Sequence, residues 1–383
     1  MSRRFTFFAT CAPGLEAVLH GEIRALRLAR PERQVGGVRF EGSLAEAWRA
    51  NLELRTAIRV LLRLARFPAR DGDELHRAVA AVDWSEHLGP DGTLAVDAQT
   101  SESRLDHSRY VEQRVKDAIV DRLRREHGRR PAVHRDDPDL RVHLHLWRDR
   151  ATLSLDTSGA SLHKRGWRVD QGRAPLAETL AAGIVLLAGW DRRAPLLDPF
   201  CGSGTILVEA ALFAAQIAPG LFRARFGFER WPGHDAAACA ALREELRRRA
   251  VPLPRGRLRG ADLDPARIEG ARRNAAAAGV EAAIELAVGD AAQFAPRRGW
   301  NAWVVTNPPY GERIGEEDEL LPLYRELGAR LRERCAGYRV AIFSGNPRLA
   351  RALALEPIAR HPLTNGALAC ELLRYEIPAV VAT

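Results

Sequence analysis

Hydrophobic and polar positions alternate in short runs at the start of the chain. Arg4 to Thr10 predicts a strand, and a helix opens at Gly14 and runs to Arg27, with Leu15, Val18, Leu19, Ile23 and Leu26 on one face. Val35 to Phe40 predicts a second strand, Leu44 to Leu54 a helix, and Arg55 to Leu64 a further apolar alternation. These elements make a small α+β unit of residues 1–65. A second unit, residues 66–160, has a helix at Asp73 to Val82, a strand at Thr93 to Gln99 and a long helix at Ser108 to His127. It closes on two alternating runs, Val142 to Trp147 and Thr152 to Leu155, joined like a hairpin through Arg148-Asp149-Arg150. His143 and His145 share one face of that hairpin. No third ligand accompanies them, so a solvated face is the better reading than a metal site.

Ser158 to Arg173 is glycine-rich and basic, and reads either as a linker or as a phosphate-facing stretch. From Ala174 onward strands and helices alternate. The strand candidates are Pro195–Leu197, Leu258–Ala261, Ile284–Val288, Ala302–Thr306, Tyr338–Phe343 and Ala369–Glu376. This pattern predicts a mostly parallel sheet covered by helices on both faces. Leu320, Leu323, Leu327 and Leu331 form one apolar helical stripe, which is core packing. No internal repeat is visible.

Composition narrows the class. At 383 residues and 46% hydrophobic content, the chain has room for two or three domains with a sizeable core. No apolar run reaches membrane-spanning length, and the stretch before Pro13 is too short for a secretory signal. The five cysteines, Cys11, Cys201, Cys239, Cys335 and Cys370, are far apart and form no CxxC, so neither zinc nor a disulfide framework is indicated. A reduced, cytoplasmic protein is expected, with no metal. The net charge of +9 points to an anionic partner such as nucleic acid. That signal is diluted, because the charge is spread evenly along the chain and every base except Lys116 and Lys164 is arginine.

Candidate chemistry lies at the strand ends. LLDPFCGSGTILVEAAL, Leu196 to Leu212, runs from a strand through Gly202-Ser203-Gly204-Thr205 into a helix. Such glycines let a ligand approach the backbone closely. GxxxxGK[ST] is absent, and so is the third glycine of a dinucleotide fingerprint, so neither a phosphate loop nor an NAD site is expected. Asp198 before the glycines suits a positively charged group, such as the amino group of S-adenosylmethionine. Asp262, ending the second strand, can accept both ribose hydroxyls. Its neighbour Asp264 is placed to cap the following helix. Asp290, ending the third strand, can accept from an adenine amine.

The fourth strand ends in Asn307-Pro308-Pro309-Tyr310. Prolines cannot continue a ladder, so the strand stops there in a rigid loop. A base's exocyclic amine is a poor nucleophile, because its lone pair is delocalised into the ring. The Asn307 side-chain oxygen and the Pro308 carbonyl can accept its two hydrogens and aim the lone pair. Tyr310 offers a ring on which a flipped base could stack.

DPFCGSGT, ADLD, GDA and NPPYGER resemble the motifs of class I methyltransferases that act on exocyclic amines. SLDTSGASLHKRGWR, APLAETLAA and TNGALACEL extend the resemblance to the bacterial 23S rRNA (guanine-N2)-methyltransferases with a THUMP domain, over nearly the whole chain. The resemblance implies a ferredoxin-like start (1–65), a THUMP RNA-binding domain (66–160), and a linker with a Rossmann-like, S-adenosylmethionine-dependent methyltransferase domain (161–383). The family's long members carry a second methyltransferase, so with the chain ending at Thr383 only the guanine-N2 half is expected. Asp198, Phe200, Gly202 and Gly204 would line the donor pocket, with Asp262 on the ribose and Asp290 on the adenine. Asn307, Pro308, Pro309 and Tyr310 would receive the target guanine. Lys164, Arg165 and Arg168 would contact RNA, either 23S rRNA or a large-subunit assembly intermediate. The rivals are guanine-N2 methylation of tRNA, adenine-N6 methylation of DNA, and a non-catalytic RNA-binding assembly factor.

Overall fold

A computed structural model describes residues 3–170, 176–311 and 316–379. The end of the basic stretch around Arg173, Glu312 to Gly315 of the loop after Tyr310, and the last four residues lie outside the described residues. The chain forms two compact units. The first draws on Met1–Thr10, His20–Leu162 and Arg223–Glu244, and the second on Cys11–Leu19, His163–Phe222 and Glu245–Thr383.

In chain order the N-terminal half contains β1 (Phe5–Thr10), α1 (Glu16–Ala25), β2 (Ala29–Gln34), β3 (Gly37–Gly42), α2 (Leu44–Glu53) and β4 (Arg59–Pro68). It continues with α3 (Gly72–Ala80), β5 (Thr93–Ser101), α4 (Ser108–His127), β6 (Ala132–Val133), β7 (Leu140–Trp147) and β8 (Arg150–Asp156). Its strands form one sheet in the order β2-β3-β1-β4-β8-β7-β5-β6. β4 pairs with β1 on one side and β8 on the other, so the sheet runs without a break through both expected α+β units. Phe7, Phe40, Val60, Leu62, Leu153 and Leu155 project to one face and are buried. Local signals fix the helix starts. Ser43 and Glu46 form a reciprocal capping box at α2, and Asp71 caps α3. Residues 223–244, which the sequence reading places inside the catalytic domain, pack into this unit instead. Phe228 stacks between Trp48 (5.7 Å) and Phe226 (5.4 Å).

The second half contains α5 (Glu178–Ala188), β9 (Leu196–Asp198), α6 (Thr205–Ala214), α7 (Ala236–Arg248), β10 (Leu258–Asp262), α8 (Pro265–Ala277), β11 (Ile284–Val288) and β12 (Trp303–Thr306). It ends with α9 (Glu316–Arg334), β13 (Arg339–Ser344), α10 (Pro347–Ala352), β14 (Ala359–Asn365) and β15 (Leu368–Glu376). The sheet order is β11-β10-β9-β12-β13-β15-β14, parallel from β11 to β13, with an antiparallel hairpin added at the end. The α9 core stripe differs from the expected one. Tyr324, not Leu323, joins Leu327 and Leu331 in the core, four residues after the partly buried Leu320. Among the described residues no helix is long and apolar enough to cross a membrane.

Candidate active site

The chain leaves β9 outward to β10 and β11, then returns to lay β12 on β9's other side. The order therefore reverses between β9 and β12, and the crevice at the carboxyl ends of such strands is where open α/β sheets bind ligands. The ends of β11, β10, β9 and β12 lie side by side and carry Asp290, Asp262, Asp198 and Asn307 in that order.

Asp198 is 2% exposed. Its Oδ1 accepts from the Thr306 hydroxyl (2.6 Å), at the end of β12, and from the Phe200 amide (3.1 Å). Burial pushes its carboxyl up to about 7, against those two hydrogen bonds and with help from the charge of Asp262. Burial likewise pushes the adjacent Cys201 thiol far above its ordinary range, so that group stays protonated.

The loop that follows turns at Gly202 (φ 52°) and Gly204 (φ 77°), both left-handed. A side chain on Gly204 would press on Ala271 of α8, at 3.1 Å, so this glycine serves helix packing as well as the turn. A Cβ on Gly202 would meet nothing within 4 Å, so its backbone lies open to a ligand. Asp262 is tied to the same loop. Its Oδ2 accepts from the Gly202 amide (3.0 Å) and its Oδ1 from the Asp264 amide (3.0 Å), which leaves lone pairs for hydroxyl donors. Asp264 caps α8 as its position suggests. Asp290 accepts from the Ala292 amide through Oδ1 (2.8 Å), capping a short turn, with Oδ2 left over. An open glycine backbone beside two partly exposed carboxylates fits a nucleoside-bearing donor.

In the loop after β12, the Asn307 side-chain oxygen is buried and, among the described residues, has no hydrogen-bond partner. A buried acceptor left unpaired costs about 1–3 kcal/mol, so one in a native site calls for an explanation. The loop is pinned at the exposed Pro309 and at Tyr310. The Tyr324 hydroxyl donates to the Pro309 carbonyl (3.0 Å), and Asn365 donates to the Tyr310 hydroxyl (2.9 Å). Tyr310 departs from its expected role. Its ring is 8% exposed and packs in the core cluster of α9 and β13, so as placed it anchors the loop and offers little stacking face.

Two of the three expected RNA contacts are also corrected. Arg165 is 1% exposed and paired with Glu209 of α6. Arg168 points inward, donating to Glu178 (2.7 Å), the Leu176 carbonyl (2.9 Å), Thr205 Oγ1 (3.0 Å) and Ser203 Oγ (3.3 Å). It is a strut under the glycine loop. Only Lys164 is exposed. Asn274 of α8, absent from the sequence-level candidates, is fully buried and completes this frame. It accepts from the Val169 and Asp170 amides (2.9 Å each) and donates to the Asp170 and Ser203 carbonyls (3.0 Å each). A buried asparagine inside an alanine-rich helix is the one sequence signal that could have flagged it.

A parallel sheet with a glycine loop after its first strand, acidic second and third strand ends and a proline-rich fourth is the layout of a Rossmann-like methyltransferase domain. Comparison with known proteins agrees. Residues 165–374 match the RMKL-like methyltransferase domain family, residues 6–61 an RlmL ferredoxin-like domain and residues 69–156 a THUMP domain. The chain belongs to the RMKL-like methyltransferase family. It is 47% identical over 386 residues to the ribosomal RNA large subunit methyltransferase K/L of Pseudomonas paraeruginosa, a match covering 98% of this chain and 53% of that protein. The chain thus spans about half the length of the curated relatives it matches. Its fold is similar to SMU.472 solved with SAH (31% identity, all of both chains, TM-score 0.89). It is also similar to a predicted N6-adenine-specific DNA methylase from Listeria monocytogenes (34% identity, 98% of this chain and 97% of that one, TM-score 0.88).

Proposed function

We propose that the chain transfers a methyl group from S-adenosylmethionine to the exocyclic N2 amine of a guanine in 23S rRNA. The observation that carries this reading is the unpaired, buried Asn307 oxygen at the end of β12. An amine hydrogen satisfies it, and the rigid Pro308 backbone supplies the second acceptor. The two acceptors orient the nitrogen lone pair without any covalent step by the protein. S-adenosylmethionine, when bound, supplies the electrophilic methyl group. Asp262 accepts the donor's ribose hydroxyls, Asp290 its adenine amine and Asp198 its ammonium, while the glycine loop of Gly202 and Gly204 borders its carboxylate. Phe200 borders this pocket. Pro309 and Tyr310 hold the loop in register through Tyr324 and Asn365.

RNA is favoured over DNA by the THUMP match at residues 69–156 and by the large-subunit rRNA named in the Pseudomonas relative. Such a substrate, free or in an assembling large-subunit particle, puts the reaction in the cytoplasm. The test is labelled donor with purified protein and, in parallel, deproteinised 23S rRNA, tRNA and duplex DNA. Label is expected in 23S rRNA. Label in tRNA or DNA alone would replace the substrate assignment, and none in any nucleic acid would favour a binding role.

A further inference from the structure

The first unit carries a cationic hollow that the methyltransferase site does not use. In a regular strand, residues three apart point to opposite faces. β4 is not regular. Arg63 pairs with Ser154, Ala65 with Leu153 and Arg66 with Thr152, so Leu64 is an extra residue in the strand. Bulges re-aim side chains. This one turns Arg66 onto the face already occupied by Arg63, Ser154 and Thr152, opposite the buried Val60 and Leu62. The result is a hollow of about 520 Å³ whose polar lining is Thr6, Glu32, Gln34, Arg39, Arg63 and Arg66. That volume is within the roughly 300–1,000 Å³ of ligand sites.

The charge in the hollow is unbalanced. Arg39 is held by Glu32 (3.4 Å) and Glu41 (2.9 Å). Arg63 donates to the neutral Gln34 (3.0 Å) and lies 4.5 Å over the Phe8 ring. Among the described residues neither Arg63 nor Arg66 forms a salt bridge. Burial, and then the charges of Arg66 and Arg39, hold the Arg63 guanidinium below its usual range. An anion seated between the two arginines would relieve that repulsion. The same sheet face continues across β8 and β7 through the exposed Arg150 to Trp147, which is 46% exposed. A row of cations running to one exposed indole suits a nucleic acid strand better than a small anion.

We infer that this hollow is an RNA docking site in which Arg63 and Arg66 together hold backbone phosphates. The inference rests on the RNA reading above and deepens it. It is tested with R63Q/R66Q, measuring binding to a 23S rRNA fragment by anisotropy between 50 and 200 mM salt, with donor affinity by calorimetry as the folding control. Each lost phosphate contact should lower the log–log salt slope by about 0.7–0.9, so the pair lowers it by roughly 1.5. Donor affinity should not change. Thr152→Glu, which sets a carboxylate across from Arg66 while keeping both arginines, should weaken RNA binding in the same direction. Wild-type affinity and slope in both variants would overturn the docking site alone. A wild-type protein with no salt-dependent RNA affinity would overturn the RNA reading, and the docking site with it.

Discussion

Asp198 provides a titration that reports directly on donor binding. Its carboxyl ionises at about 7 in the folded protein, against about 3.9 for a free side chain. At pH 6.5 the group is therefore about 0.8 protonated. A cation placed beside it favours the ionised form and lowers that value, so donor binding must release a proton. The donor's own amino group, ordinarily near 7.7–8.0, stays charged at this pH. Asp262, the other acid facing Asp198, works against ionisation and is engaged by the Gly202 and Asp264 amides. Isothermal calorimetry at pH 6.5 in two buffers of different ionisation enthalpy counts the protons. About 0.8 should be released per donor bound at this pH. By the same linkage, affinity should rise roughly tenfold between pH 5.5 and 7. Asp198→Asn, which cannot ionise, should release almost none and bind with little pH dependence. A wild-type count near zero at pH 6.5, with flat affinity, would refute the placement of the donor's ammonium at Asp198.

Asn307→Ala should lower single-turnover methylation about 10²–10³-fold, as for loss of one preorganised polar group, while donor and RNA affinities stay near wild type in direct binding assays. Asp262→Ala should weaken donor binding in calorimetry; unchanged affinity would remove it from the ribose. Arg168→Met strands the buried Glu178 carboxylate, so thermal unfolding of the second unit should show a loss of about 3–5 kcal/mol, with RNA salt slope unchanged. A changed slope with normal stability would return Arg168 to the RNA surface.

The central strands of both sheets are legible in the sequence because each buries a continuous or alternating apolar run. The strands missed are the outermost ones. β2 (ARPERQ) begins one sheet and β14 (ARHPLTN) ends the other. An edge strand is only partly covered, so its pattern need not be apolar, and Pro362 is tolerated in β14 because an edge can forgo a ladder donor. The acidic strand ends and the NPPY loop were readable because they obey local rules of turn and strand. Arg165 and Arg168 were misplaced because a basic stretch looks solvated unless its partners are known. Glu209 lies 44 residues from Arg165, and Ser203 lies 35 from Arg168. Asn274 was missed for the same reason, since its bonds reach residues about 70 and 105 positions away. Tyr310 carries a ring suited to stacking, yet its burial depends on Asn365 and on Gly345, whose missing side chain leaves the ring room at 3.2 Å.

The most direct test of the account is the chemical identity of the product. 23S rRNA methylated by the purified chain is digested to nucleosides and resolved by mass spectrometry against standards. An exocyclic amine held by the Asn307 oxygen and the Pro308 carbonyl predicts N2-methylguanosine, lost in Asn307→Ala. Methylation at a ring nitrogen of guanine, at a ribose hydroxyl or at a carbon would contradict the account, because none of those atoms offers two hydrogens to the two acceptors.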